Sequence, residues 1–157
     1  MIHSAEWEVA RQLVEQWRES GKTIVFTNGC FDLLHPGHID YLTKARALGD
    51  VLIVGLNDDD SIRRLKGQSR PITPLQDRQI MLAALKSVTL VVPFEEDTPL
   101  ELIKTLLPDI LVKGGDYEPD NIVGAMEVRE NGGHVSVITF VDGHSTTSLI
   151  KRIQEIG

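Results

Sequence analysis

Short apolar runs rich in β-branched residues recur along the chain: "TIVFT" at 23–27, "DVLIVGL" at 50–56, "VTLVVPF" at 88–94, "DILVKG" at 109–114 and "HVSVITF" at 134–140. Bounded by glycine or polar residues, such runs read as strands. Between them, apolar residues repeat at helical spacing and predict helices at about 36–49, 58–65, 74–86, 98–107 and 121–131, with a last one at 146–156. Ahead of the first strand, Trp7, Ala10, Val14 and Trp17 predict an amphipathic helix over 4–20, with Ser4 as its N-cap, Gly21 as its stop and the tryptophans as core anchors. Strands apolar on both faces that alternate with helices argue for an α/β fold, a doubly wound parallel sheet of five strands covered by helices on both sides.

That architecture maps function onto sequence, because ligands of such sheets bind beyond the carboxyl ends of the strands where strand order reverses. The loops that follow the strands read "NGCFDLLHPGH", "NDDDS", "EEDTP", "KGGDYEPD" and "VDGHSTT". In the first, Pro36 suits the opening turn of a helix, where its missing N–H is no loss. His35 and His38 then flank that turn beside free N–H groups and the positive end of the dipole, and Gly37 leaves the backbone open to an anion. A phosphate fits there, with the imidazoles donating to its oxygens as charge develops. A helix cap and a zinc site compete with that reading; zinc would need a third ligand from Asp32, His134 or His144. Ser145, Thr146 and Thr147 at the last helix start offer a second anion pocket, and the two together suggest a ligand with several phosphates. Lys113 in "KGGD" is within reach of an anion, although a plain turn explains the glycines as well.

Charge and composition narrow the field. The balance of 16 basic and 23 acidic residues gives −7, which disfavours non-specific binding to nucleic acid or an anionic membrane. Yet residues 63–78 carry Arg63, Arg64, Lys66, Arg70 and Arg78 against Asp77 alone, a segment that either meets a small anion or is a solvated loop. The 157 residues are expected to form one domain, 1–157. No apolar stretch approaches the roughly 18 residues of a membrane helix and no signal-peptide pattern opens the chain, so a cytoplasmic protein is expected. The single Cys30 excludes an internal disulfide and a CxxC knuckle. P-loop, GxGxxG and GxSxG motifs are absent.

"TNGCFDLLHPGHIDYLTKARALGD", "LKG", "RPITPLQDR", "VKGGDY" and "GHSTT" resemble the HxGH nucleotidyltransferases of the cytidylyltransferase-like superfamily across residues 23–156. "EEDTPLELI", "VKGGDY" and the spacing from "LKG" to "RPI" point within it to the adenylyltransferase part of bifunctional ADP-heptose synthases. The resemblance implies a Rossmann-like fold and transfer of AMP from ATP, with Mg²⁺, to D-glycero-D-manno-heptose 1-phosphate. The products are ADP-heptose, a lipopolysaccharide core precursor, and pyrophosphate. It further implies a separate heptose kinase and a homodimer. By matching positions, His35 and His38 act on the α-phosphate, and Lys66 bridges sugar phosphate and nucleotide. Asn28, Gly29, Cys30, Phe31 and Asp32 face the nucleotide, Cys30 and Phe31 through backbone N–H and Asp32 by ordering the loop. Lys86, Lys113, Gly114 and Asp116, with Gly143, Ser145, Thr146 and Thr147, complete the nucleotide side, and Arg78 braces the acceptor side or binds the substrate there; no protein metal ligand is implied. Where the glycerol-phosphate branch carries an arginine before its STT, this chain has Phe140-Val141-Asp142-Gly143, so ATP over CTP rests on the heptose resemblance. A cytidylyltransferase acting on glycerol 3-phosphate, and a nucleotide-binding regulatory module without turnover, are the alternatives.

Overall fold

The computed structural model describes residues 2–141 and 143–157, with the backbone alone for residues 2–4; Met1 and Asp142 lie outside it. The elements run α1 (Ile2–Glu19), β1 (Ile24–Gly29), α2 (Pro36–Arg46), β2 (Val51–Asn57), α3 (Asp59–Lys66), α4 (Leu75–Ala83), β3 (Leu90–Phe94), α5 (Leu100–Leu106), β4 (Ile110–Gly114), α6 (Ala125–Glu130), β5 (His134–Ile138) and α7 (Thr146–Ile156), with a 3₁₀ turn at Pro119–Asn121. All strand pairs are parallel and the order is β3-β2-β1-β4-β5, a Rossmann-like α/β sheet. The chain winds outward from β1 to β3, then crosses back to lay β4 against β1. The reversal between β1 and β4 makes the carboxyl end of β1 the natural ligand crevice.

The strands are apolar throughout because both faces are covered. Ile24, Phe26, Ile53 and Val92 point into a core closed by Ala10 and Val14 of α1, Leu102, Ile103 and Leu106 of α5 and Val128 of α6. Their neighbours Val25, Leu52, Val54 and Val91 point the other way, onto Tyr41, Leu42 and Ala45 of α2 and Leu82 of α4. This period-two division is what a doubly covered parallel strand requires. Each fully buried Leu, Ile or Phe contributes about 1.5–3 kcal/mol relative to an exposed one. Trp7 and Trp17 pack against the first core as anchors, and Trp7 Nε1 donates to the Pro93 carbonyl at 2.9 Å.

Helix ends depart from expectation where backbone geometry intervenes. Helix α1 starts at Ile2, so Ser4 sits inside it with helical backbone and is not its N-cap. Gly21, at φ +76, stops α1 as expected, its N–H and that of Lys22 reaching back to the Arg18 and Trp17 carbonyls. The helix expected over 121–131 is split. Gly124 at φ +88 interrupts it, leaving the 3₁₀ turn before and α6 after.

Candidate active site

A cavity of about 780 Å³ opens at the carboxyl ends of the strands, within the range that accommodates drug-sized and larger ligands. Its floor is the β1–α2 loop. Here His35, in extended backbone, is the N-cap of α2, and its Nδ1 accepts from the Gly37 N–H at 3.1 Å. Capping and ligand binding are therefore compatible. With Nδ1 an acceptor, the neutral ring carries its proton on Nε2, which remains a donor. His38 stacks on His35 with ring centroids 3.8 Å apart, and the Phe31 ring packs against His38 at a tilt, 5.1 Å away. The His38 Nδ1 is buried without a hydrogen-bond partner. Burial, and then the neighbouring His35, push the His38 pKa down to about 4. His35 is lowered too, by burial and by His144. Both imidazoles are thus held neutral at pH 7, as donors beside the positive end of α2.

The last loop meets this helix start. Ser145 caps α7 by accepting from the Ser148 N–H at 3.0 Å, and the Thr146 hydroxyl donates to the Leu33 carbonyl at 3.4 Å. His144 lies nearly parallel to His35, 6.3 Å away. A side chain at Gly37 would reach within 2.9 Å of the His35 ring and 3.1 Å of the His144 Cβ, so the bare glycine is what lets the two helix starts approach. Two helix N-termini with hydroxyls and imidazoles converge on one cavity, as a polyphosphate requires.

Asp32 lies at the cavity wall, but its carboxylate is engaged by the protein and orders the loop, as expected. Nearly fully buried, it accepts from Arg70 Nε at 2.7 Å and from the Ile72 and Thr73 N–H groups, tying the basic α3–α4 loop to the β1–α2 loop. Burial works to raise its pKa, but these three donors prevail and hold it below the usual carboxylate range. Of the two roles expected for Arg78, brace or substrate ligand, the structure has the brace. Buried at 1% exposure and off the cavity wall, it spends four of its five N–H groups on the Thr73, Cys30 and Asn57 carbonyls and on Asp59, so it braces the loops.

Asn28, Gly29, Cys30, Phe31, Lys66, Lys113, Gly114, Ser145, Thr146 and Thr147 all line the cavity as expected. Burial raises the Cys30 thiol, which is therefore no ready nucleophile. Lys86 is not brought there. It is exposed in the turn between α4 and β3, at the amino end of a strand, and in an all-parallel sheet that is the edge opposite the cavity. Asp116 and Gly143 also stay off the wall; Gly115 and Gly143, at φ +106 and +85, shape the turns that present Tyr117 and His144 instead. Tyr117, Asn57, Asp97 and Thr98 line the cavity without having been singled out, and so do His144, weighed above as a zinc ligand, and Phe140, noted above only where an arginine is replaced. For Asp97 and Thr98 the signal was their place in the loop after β3, and for His144 its place before the STT.

Among the described residues no group of three or more His, Cys, Asp or Glu is arranged to hold a metal ion, and no helix is long and apolar enough to cross a membrane.

The cytidylyltransferase-like family model matches residues 26–152. The chain is 61% identical over 146 residues to bifunctional protein HldE of Syntrophotalea carbinolica, covering 93% of this chain and 30% of that protein. It is 56% identical over 149 residues to bifunctional protein HldE of Haemophilus ducreyi, covering 95% and 31%. The chain thus spans about a third of the length of these curated relatives. Among solved structures, the lipopolysaccharide core biosynthesis protein from Thermoplasma volcanium aligns with a TM-score of 0.63 at 27% identity, over 76% of this chain and 97% of that one.

Proposed function

Because the chain is a nucleotidyltransferase of the cytidylyltransferase-like family, we propose that it transfers AMP from ATP to D-glycero-D-manno-heptose 1-phosphate, releasing pyrophosphate and ADP-heptose. The observation that carries this reading is the convergence of the His35–Gly37 and Ser145–Thr147 helix starts on one cavity. Its kinship with the HldE proteins supports the choice of acceptor.

In this reading an acceptor phosphate oxygen attacks the α-phosphorus in line. A new P–O bond forms as the bond to the β-phosphate oxygen breaks, and the electron pair leaves with pyrophosphate. No residue becomes covalently attached. His35 donates from Nε2 and His38 stands beside it, both aimed at charge that grows in the transition state; one such donor contributes about 2.7–4 kcal/mol. Lys66, the last residue of α3, brings a cation between acceptor phosphate and nucleotide. Lys113, whose pKa burial lowers, supplies charge from β4. Mg²⁺ would enter on the triphosphate and neutralise its charge. The donor set fits that role and not a protein cage, since the Asp32 carboxylate is already spent on Arg70 and two N–H groups.

Pyrophosphate release over a matrix of nucleoside triphosphates and phosphorylated acceptors tests the reading. Release with ATP and the heptose 1-phosphate is expected. Release only with CTP and glycerol 3-phosphate would replace it by a cytidylyltransferase, and binding without release by a regulatory module.

A further inference from the structure

The two ends of the cavity differ in chemistry. From β4 and the start of α7 it is lined by Lys113, His144, Ser145, Thr146 and Thr147, whereas from the ends of β2 and α3 and the loop after β3 it is lined by Asn57, Lys66, Asp97 and Thr98. A carboxylate on the wall of a site for phosphates repels them unless its charge is balanced and its oxygens serve another purpose.

The balance is visible. Arg64 Nε donates to Asp97 Oδ1 at 2.8 Å, and Arg64 Nη2 donates to the Glu95 carbonyl. One guanidinium therefore fixes both ends of the 95–97 turn to α3, two residues before Lys66. An acidic group paired in this way is a poor cation ligand, and Asp97 belongs to no metal-holding group among the described residues. It keeps acceptor lone pairs, which suit neutral donors such as hydroxyls, and the neighbouring Thr98 hydroxyl can both donate and accept.

We propose that Asp97, positioned by Arg64 and joined by Thr98, reads hydroxyl groups of the acceptor, so that the enzyme takes a polyhydroxylated sugar phosphate in preference to a small phosphate with few hydroxyls. This rests on the nucleotidyl-transfer reading above. Lys66 holds the acceptor's phosphate, and the Asp97 end selects its carbon skeleton.

The test compares wild type with Asp97→Ala, Thr98→Val and Arg64→Ala in pyrophosphate release from ATP, using a sugar 1-phosphate and its monodeoxy analogues. Asp97→Ala is expected to raise the acceptor KM about 10- to 100-fold, the scale of one hydrogen bond to a charged group, with the KM for ATP unchanged. At least one deoxy analogue should lose the same factor with wild type and nothing further with Asp97→Ala. Arg64→Ala, a positioning change, should raise the acceptor KM less and leave that pattern recognisable. An acceptor KM that ignores Asp97→Ala, or equal rises in both KM values, overturns the proposal. A wild type that releases no pyrophosphate with any sugar phosphate brings down the transfer reading and this one together, whereas an active wild type with indifferent Asp97 variants brings down only this one.

Discussion

His35 and His38 stack with their planes 25° from parallel and their centroids 3.8 Å apart, a contact that two charged rings would repel. Burial and His35 lower His38 to about 4 from its ordinary 6.5, so in the native state it binds fewer protons than in the unfolded chain between those values. Stability from this group is therefore complete above about pH 6.5 and falls as pH drops toward 4. NMR titration of the His38 ring alongside denaturation midpoints is expected to show both effects. A His38 that titrates near 6.5 contradicts the buried, unpartnered ring.

Asp32→Ala should destabilise the protein by about 3–5 kcal/mol, the scale for breaking a buried ion pair. It strips the acceptor from Arg70, Ile72 and Thr73 at once. Urea denaturation measures the loss, and the loosened α3–α4 loop should raise the acceptor KM in the same variant.

Arg78→Lys should fail to rescue Arg78→Ala. A single ammonium cannot reproduce the planar fork that serves three carbonyls and Asp59. Both variants are expected to lose about 3 kcal/mol or more. A lysine variant as stable as wild type with a raised acceptor KM would instead show that the residue touches substrate.

Gly37→Ala is expected to fold yet turn over about 10²-fold more slowly, as if one transition-state donor were lost. The added methyl must displace the His35 ring or the α7 loop, because each lies within about 3 Å of it. A crystal structure of the variant would locate the shift.

The strand and helix pattern was legible because each run carries its own periodicity, and the His35-Pro36-Gly37 helix start was legible because capping is local. Residues whose roles depend on distant parts of the chain were harder to read. Lys86 looked like a nucleotide ligand until parallel topology put it at the amino edge of the sheet. For Arg78 the sequence left brace and substrate ligand both open, because the carbonyls that surround it come from distant segments. Asp97 and His144 lie in loops that the sequence placed at the carboxyl edge of the sheet, but which side chains of those loops line the cavity depends on tertiary packing.

In the proposed reaction the stacked histidines stabilise charge at the α-phosphate. Single-turnover pyrophosphate release by His38→Ala, beside wild type, tests it most directly. A rate about 10²- to 10³-fold lower with ATP affinity nearly unchanged is predicted; a normal rate, or a loss confined to ATP binding, would contradict it.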